Sequence, residues 1–158
     1  MKKAETKMSG KDLTKEAPRS PSERLGGFVI LARAIDKCRA TLWGNVGEYN
    51  FNCPLDNYLF SFKGIKGDDL KKFVETAATD IEVVEWVKKN GISKTEAEIS
   101  AWSDTVSKDN YSTNPDPKNK PWLEDENKRL GLPKDGTLFD MLDADDAACF
   151  KGGANVCL

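Results

Sequence analysis

Apolar positions along this chain recur at spacings of three and four, the mark of helices with one buried face. The first such stretch follows Ser20-Pro21-Ser22-Glu23. These residues offer a hydroxyl N-cap, a proline at the first helical position and a glutamate at N3. They predict a helix from there to Leu42 or Trp43, stopped by Gly44 and Gly47. Pro54 opens a second, with Leu55, Tyr58, Leu59 and Phe62 on one stripe and Gly64 and Gly67 at its end. Asp68 is placed to cap a third, carrying Leu70, Phe73, Val74, Ala77 and Ala78 and ending near Thr79. Asp80 caps a fourth with Ile81, Val84 and Val87 inside, and Asn90-Gly91 stops it. Ser93 with Glu96 writes a capping box for a fifth, whose stripe is Ala97, Ile99, Trp102 and Val106. A short helix from Trp122 to Leu130 precedes Gly131, and Asp135 or Thr137 caps a last one with Leu138, Phe139, Met141 and Leu142. Strand signals are nearly absent. The pattern predicts an all-α fold, an irregular bundle of six or seven mostly short helices.

Outside these stretches the periodicity fails. Residues 1–19 are polar and read as a flexible N-terminal arm, residues 20–148 as the helical domain, and residues 149–158 as a flexible C-terminal tail. The segment 109–121 holds three prolines and reads as a stiff connector. A net charge of −2 argues against a dedicated nucleic-acid binder, which is usually basic. No apolar run approaches the roughly 20 residues of a membrane span, and the lysines at positions 2 and 3 lack the apolar stretch of a secretory signal. A cytoplasmic protein with no membrane partner is the expectation.

One count changes the chemistry available: the chain has no histidine. Ser-His-Asp and Cys-His nucleophiles and histidine metal sites are therefore excluded. None of the four cysteines forms a C-x-x-C pair, and the run Asp140 to Asp146 lacks the glycine and glutamate spacing of a calcium loop. No metal and no cofactor are expected. Acid–base work would fall to Asp, Glu, Lys, Tyr or Cys.

Placed on a wheel at about 100° per residue, the first helix gathers Leu25, Phe28, Val29, Leu31, Ala32, Ile35 and Leu42 on one face. Asp36 and Arg39 fall within that face, Arg33 at its edge, and Lys37 points away. Charges on an inner face need partners, because an unpaired buried charge costs several kcal/mol. The last helix carries Asp143, Asp145 and Asp146 at its C-terminal end, where the helix dipole disfavours them. The expected resolution is that these acids meet Arg33 and Arg39.

Two functional readings stay open on the sequence. In the first, Arg33 and Arg39 grip a small anionic metabolite with their planar forks, and Asp36 acts as a base or orients them. Tyr49, Cys53 and Asp145 then line the same pocket. Asp36 and Arg39 are the catalytic candidates if there is a reaction. In the second, the charges form a closed structural network and the protein is an interaction or regulatory module with an exposed apolar patch. Tyr58 and Trp102 read as core residues in either case, and Gly26-Gly27 as a point of close helix–helix approach.

Several stretches are familiar. Asp12-Leu13-Thr14, Pro18-Arg19-Ser20-Pro21 and Leu25-Gly26-Gly27 are followed by the run Leu31 to Ala40, Asp56 to Gly64, Glu85-Trp86-Val87 and Phe139 to Asp146. In this order they resemble a bacterial family known as domain of unknown function 5069, over roughly residues 12–146. The resemblance implies a small helical protein sharing an Arg-x-x-Asp-Lys-x-Arg stretch. It implies no activity, substrate or cofactor.

Overall fold

Leu31–Trp43, helix α1, is the element around which the others assemble. Nine of its thirteen residues are buried, and the charged ones among them are Arg33, Asp36 and Lys37. Its small residues Ala32, Ala34 and Ala40 let neighbours approach on every side. The computed structural model describes residues 10–76, 78–109 and 119–150. Among them six more helices follow: α2 (Pro54–Lys63), α3 (Gly67–Val74), α4 (Asp80–Lys89), α5 (Glu96–Ser107), α6 (Asn119–Arg129) and α7 (Leu138–Phe150). Among the described residues there is no strand, only an isolated bridge between Leu25 and Phe28. The all-α expectation holds.

α1 packs against α2 and α3, α3 against α4, and α6 against α7. The main core joins Phe28, Ile35, Leu59, Phe60, Leu70, Val83, Val87 and Ile99. A smaller cluster of Leu123, Leu138 and Met141 seals α6 to α7, with Leu55 and Tyr58 of α2 packed against it. Trp102 stacks on Phe62 with ring centroids 4.7 Å apart.

The first helix starts ten residues later than its caps suggest. Leu25 and Phe28 exchange both backbone hydrogen bonds, at 3.0 and 3.1 Å, around Gly26 (φ 61°) and Gly27 (φ 87°). Two positive φ values in a two-residue loop make a type I′ turn, which strongly favours Gly-Gly. The pair does mark a close approach, since a Cβ on Gly26 would come within 2.5 Å of Val84 Cγ1. It does so from a turn, not from inside a helix. Ile30, fully buried, then takes φ 74° just before α1, a strained conformation for a β-branched residue.

Smaller shifts of boundary have local causes. Thr79, not Asp80, caps α4 in a capping box with Glu82. Thr95 with Glu98, not Ser93 with Glu96, caps α5. Ile92 N–H donates to the Lys63 carbonyl, which holds this stretch against the end of α2 and delays the next helix. Ile81 is exposed instead of inside, and Val83 takes its place in the core. α3 ends at Val74, before the expected Thr79. Thr137 Oγ1 accepts the Asp140 N–H at 3.1 Å and caps α7. Residues 10–19, read as part of the arm, lie against the body: Leu13 is fully buried and its N–H donates to the Asn45 carbonyl. The expectations for residues 1–9, for 110–118 of the connector and for 151–158 lie outside the described residues, while 119–121 belong to α6 and 149–150 to α7.

Candidate functional site

The charged residues of α1 fall into two stripes. Asp36 and Arg39, about one turn apart, face the N-terminal segment and α4. Arg33 and Lys37, also about one turn apart, face α2, α7 and the loop between α1 and α2.

On the first stripe, Asp36 takes all its bonds from Arg19. The Arg19 backbone N–H donates to Oδ2 at 2.8 Å, its Nε to Oδ2 at 3.1 Å and its Nη2 to Oδ1 at 3.0 Å. Arg19 Nη1 reaches on to Asp80 Oδ2 at 2.9 Å, and Arg39 Nη1 meets Asp80 Oδ1 at 2.9 Å. Arg39 Nη2 donates to the Ala78 carbonyl at 3.0 Å. The result is a closed clamp, Asp36–Arg19–Asp80–Arg39, that ties the N-terminal segment to α1 and the start of α4. Partial burial pushes the Asp80 carboxyl up, but Arg19 and Arg39 outweigh it and hold it below its usual value. Burial likewise opposes the charge of Arg19, and Asp80 and Asp36 overcome it.

On the second stripe, Arg33 donates to Asp146 Oδ2 at 2.7 Å, to Asp146 Oδ1 at 3.3 Å and to the Arg19 carbonyl at 3.4 Å. Tyr49 donates its hydroxyl to Asp146 Oδ1 at 2.8 Å, and its ring lies under the Arg33 guanidinium. Burial and then Asp146 push the Tyr49 hydroxyl pKa up, so it stays a donor. Lys37 is only 3% exposed. Its Nζ donates to Cys53 Sγ at 3.2 Å and lies 3.0 Å from Asp56 Oδ1, off the line of a good hydrogen bond. Asp56 in turn accepts the Asn52 N–H at 2.9 Å. Cys53 is the N-cap of α2 and Asp56 sits in that helix's first turn, so the Pro54 helix start sets both.

A cavity of about 170 Å³ opens onto this second stripe. Arg33, Lys37, Tyr49, Cys53, Asp145 and Asp146 line it, with half-buried Leu55 and Leu142 and exposed Glu48 and Asn50. A larger hollow, about 610 Å³, lies over the turn between α6 and α7. Its walls are mostly exposed charged residues such as Asp125, Lys128 and Lys134, with no buried polar group among them. That is a solvent trough, and the smaller cavity is the one where buried donors converge.

The structure therefore divides the residues singled out from the sequence. Arg33, Tyr49, Cys53 and Asp145 come together, while Asp36 and Arg39 belong to the clamp. Arg33 meets an acid of the last helix as expected, but Arg39 meets Asp80 instead, and Asp145 takes Arg129 Nη2 at 2.9 Å. The three acids are not at the end of α7, since that helix runs on to Phe150. Lys37 was assigned to the outside and is inside, because α1 is buried nearly all round and has no outer face to offer. Its signal was the unbroken apolar run Phe28 to Ala32 with alanines at 34 and 40, which marks a central helix. Arg19 carried no periodic signal.

Fold and site together define a class: an all-helical protein with a small cavity where two buried cations meet a thiol and a phenol. Its sequence matches, over residues 15–148, the model of a family described as "Domain of unknown function (DUF5069)", and the chain belongs to that family. No curated protein matches it. Among the described residues no helix is long and apolar enough to cross a membrane.

Proposed function

We propose that this protein binds a small polar metabolite in the cavity between α1, α2 and α7, with an anionic or carbonyl oxygen of the ligand on Lys37 and Arg33. The supporting observation is a pair of buried cations with unspent donors. Lys37 has three N–H donors; Cys53 takes one and Asp56 lies near a second. Arg33 has five, and its bonds to Asp146 and Arg19 use three. Donors that face the water of the cavity can take an oxygen of a ligand in its place. Glu48, Asp145 and Asp146 line the same space, so a ligand with one negative charge fits better than a phosphate dianion. Asp36 and Arg39 take no part in binding on this reading. They hold the fold.

The competing reading, an interaction module with a purely structural network, draws support from the closed clamp and from exposed Trp122, Ile81 and Ile92. One experiment separates them. The wild type and Cys53→Phe, which fills the cavity while keeping every ion-paired side chain, are melted against a panel of small carboxylates, phosphates and nucleotides. A ligand at a hundred times its Kd adds about 2.7 kcal/mol. Stabilisation of the wild type that Cys53→Phe lacks supports binding at this cavity. No shift with any compound removes the reading and leaves the module.

A further inference from the structure

The polar cavity adjoins a second hollow. About 270 Å³ in volume, it is also lined by Cys53, Leu55 and Leu142. Past those three side chains its walls are apolar or aromatic: Pro54, Tyr58, Trp122 and Leu138. The two spaces thus meet along one edge of α2 and one turn of α7, and their characters are opposite. One end has Lys37 and Arg33 beside Glu48, Asp145 and Asp146. The other has no charged side chain among its described lining residues, and it ends at Trp122, whose indole is 48% exposed at the rim.

We propose that the ligand is an amphipathic monocarboxylate. Its carboxylate sits against Lys37 and Arg33, and its unbranched alkyl chain passes Cys53 and runs between Leu55 and Leu142 to Trp122. This rests on the reading of the polar cavity as a ligand site. Hydrogen-bonding capacity sets the head. Arg33 and Lys37 are already paired with Asp146 and Asp56, so the site holds no surplus positive charge. Their remaining N–H groups can take one carboxylate, and Glu48, Asp145 and Asp146 repel a second charge. The apolar hollow fixes the tail. Each methylene that leaves water for such a surface tightens binding roughly fourfold, and a chain covers indole surface that otherwise stays wet. A short polar metabolite would fill the first cavity and leave the second unused.

The test is a homologous series, acetate, butanoate, hexanoate, octanoate and decanoate, titrated into the full chain by calorimetry below each acid's micelle concentration. Tryptophan fluorescence is read in parallel. The expected result is a Kd that falls roughly fourfold per methylene and levels off once the chain reaches the rim, with a fluorescence change for the longer acids. In Trp122→Ala the loss of affinity grows with chain length. Trp122 is half exposed, so this variant keeps the core intact. If short acids bind and added methylenes bring nothing, or if the slope survives in Trp122→Ala, the amphipathic proposal is overturned and the polar-cavity reading stands. If no acid of any length binds, the amphipathic proposal falls, and the polar-cavity reading stands or falls on the panel of other small molecules.

Discussion

The two charge clusters of α1 lie within one turn of each other on the same helix, yet they are built differently. In the clamp, each carboxylate oxygen of Asp36 and Asp80 has a donor and each arginine grips at least one acid through the protein itself. At the cavity, the acids Asp56 and Asp146 are also buried, yet the cations beside them keep donors in hand and face open space. A closed network fixes the docking of elements and gains nothing from a ligand. An open one, buried but incomplete, is poorly explained as a fastening alone. The difference separates Asp36 and Arg39 from Arg33 and Lys37 although sequence spacing joins them.

Breaking the cavity's ion pair should have the largest effect. Lys37→Met leaves Asp56, fully buried, without its ion-pair partner. Removing one partner of such a pair costs about 3–5 kcal/mol, read as a lower urea midpoint at unchanged slope. Adding Asp56→Asn to the same chain should recover part of that loss. If the single substitution is neutral, Lys37 is not held as described and the contrast between the regions fails. Next in size is Arg19→Met. It removes the side-chain donors of Asp36 but leaves the backbone N–H at 2.8 Å. The expected loss is about 1.5–3 kcal/mol, the range for hydrogen bonds to charged groups. Ligand stabilisation should persist in Arg19→Met when measured at a temperature where the variant is folded. If it vanishes, the clamp and the cavity are not separate.

How much of this was legible depends on which physics set each feature. Helix existence came from apolar spacing, which packing respects, so α2 through α7 fall close to where the stripes put them. The start of α1 was lost because Ser20-Pro21-Glu23 satisfies the local rules for a cap, while the Gly26-Gly27 turn against Val84 is a tertiary demand. Lys37 went astray for another reason: a wheel assumes one outer face, and α1 is buried nearly all round. Cys53 and Tyr49 were found because chain connectivity places the 44–53 loop at the end of α1. Arg19 and its grip on Asp80 span 61 residues of sequence, and no periodicity encodes a contact of that range. Partners of buried charges are chosen by the fold, so the sequence announced the need for them without naming them.

The smallest expected effect is a pH dependence that belongs to the clamp alone. The Asp80 carboxyl is held below its usual value because Arg19 and Arg39 outweigh the effect of burial. The sign follows from proton linkage. The unfolded chain takes up a proton at Asp80 near the ordinary aspartate pKa of about 3.9, and the folded chain only at lower pH. Stability from this group is therefore fully present above about pH 4 and is lost as pH falls through the folded value. The amount is small because the Asp80 side chain is 33% exposed, and water and salt screen the pair. Urea midpoints measured from pH 6 to pH 3 should fall less steeply in Asp80→Asn than in the wild type, and the difference should shrink in high salt. Parallel curves would mean that Asp80 titrates alike in both states. Arg19 and Arg39 would then be held by something other than its charge, and the clamp would no longer be the closed electrostatic counterpart of the cavity.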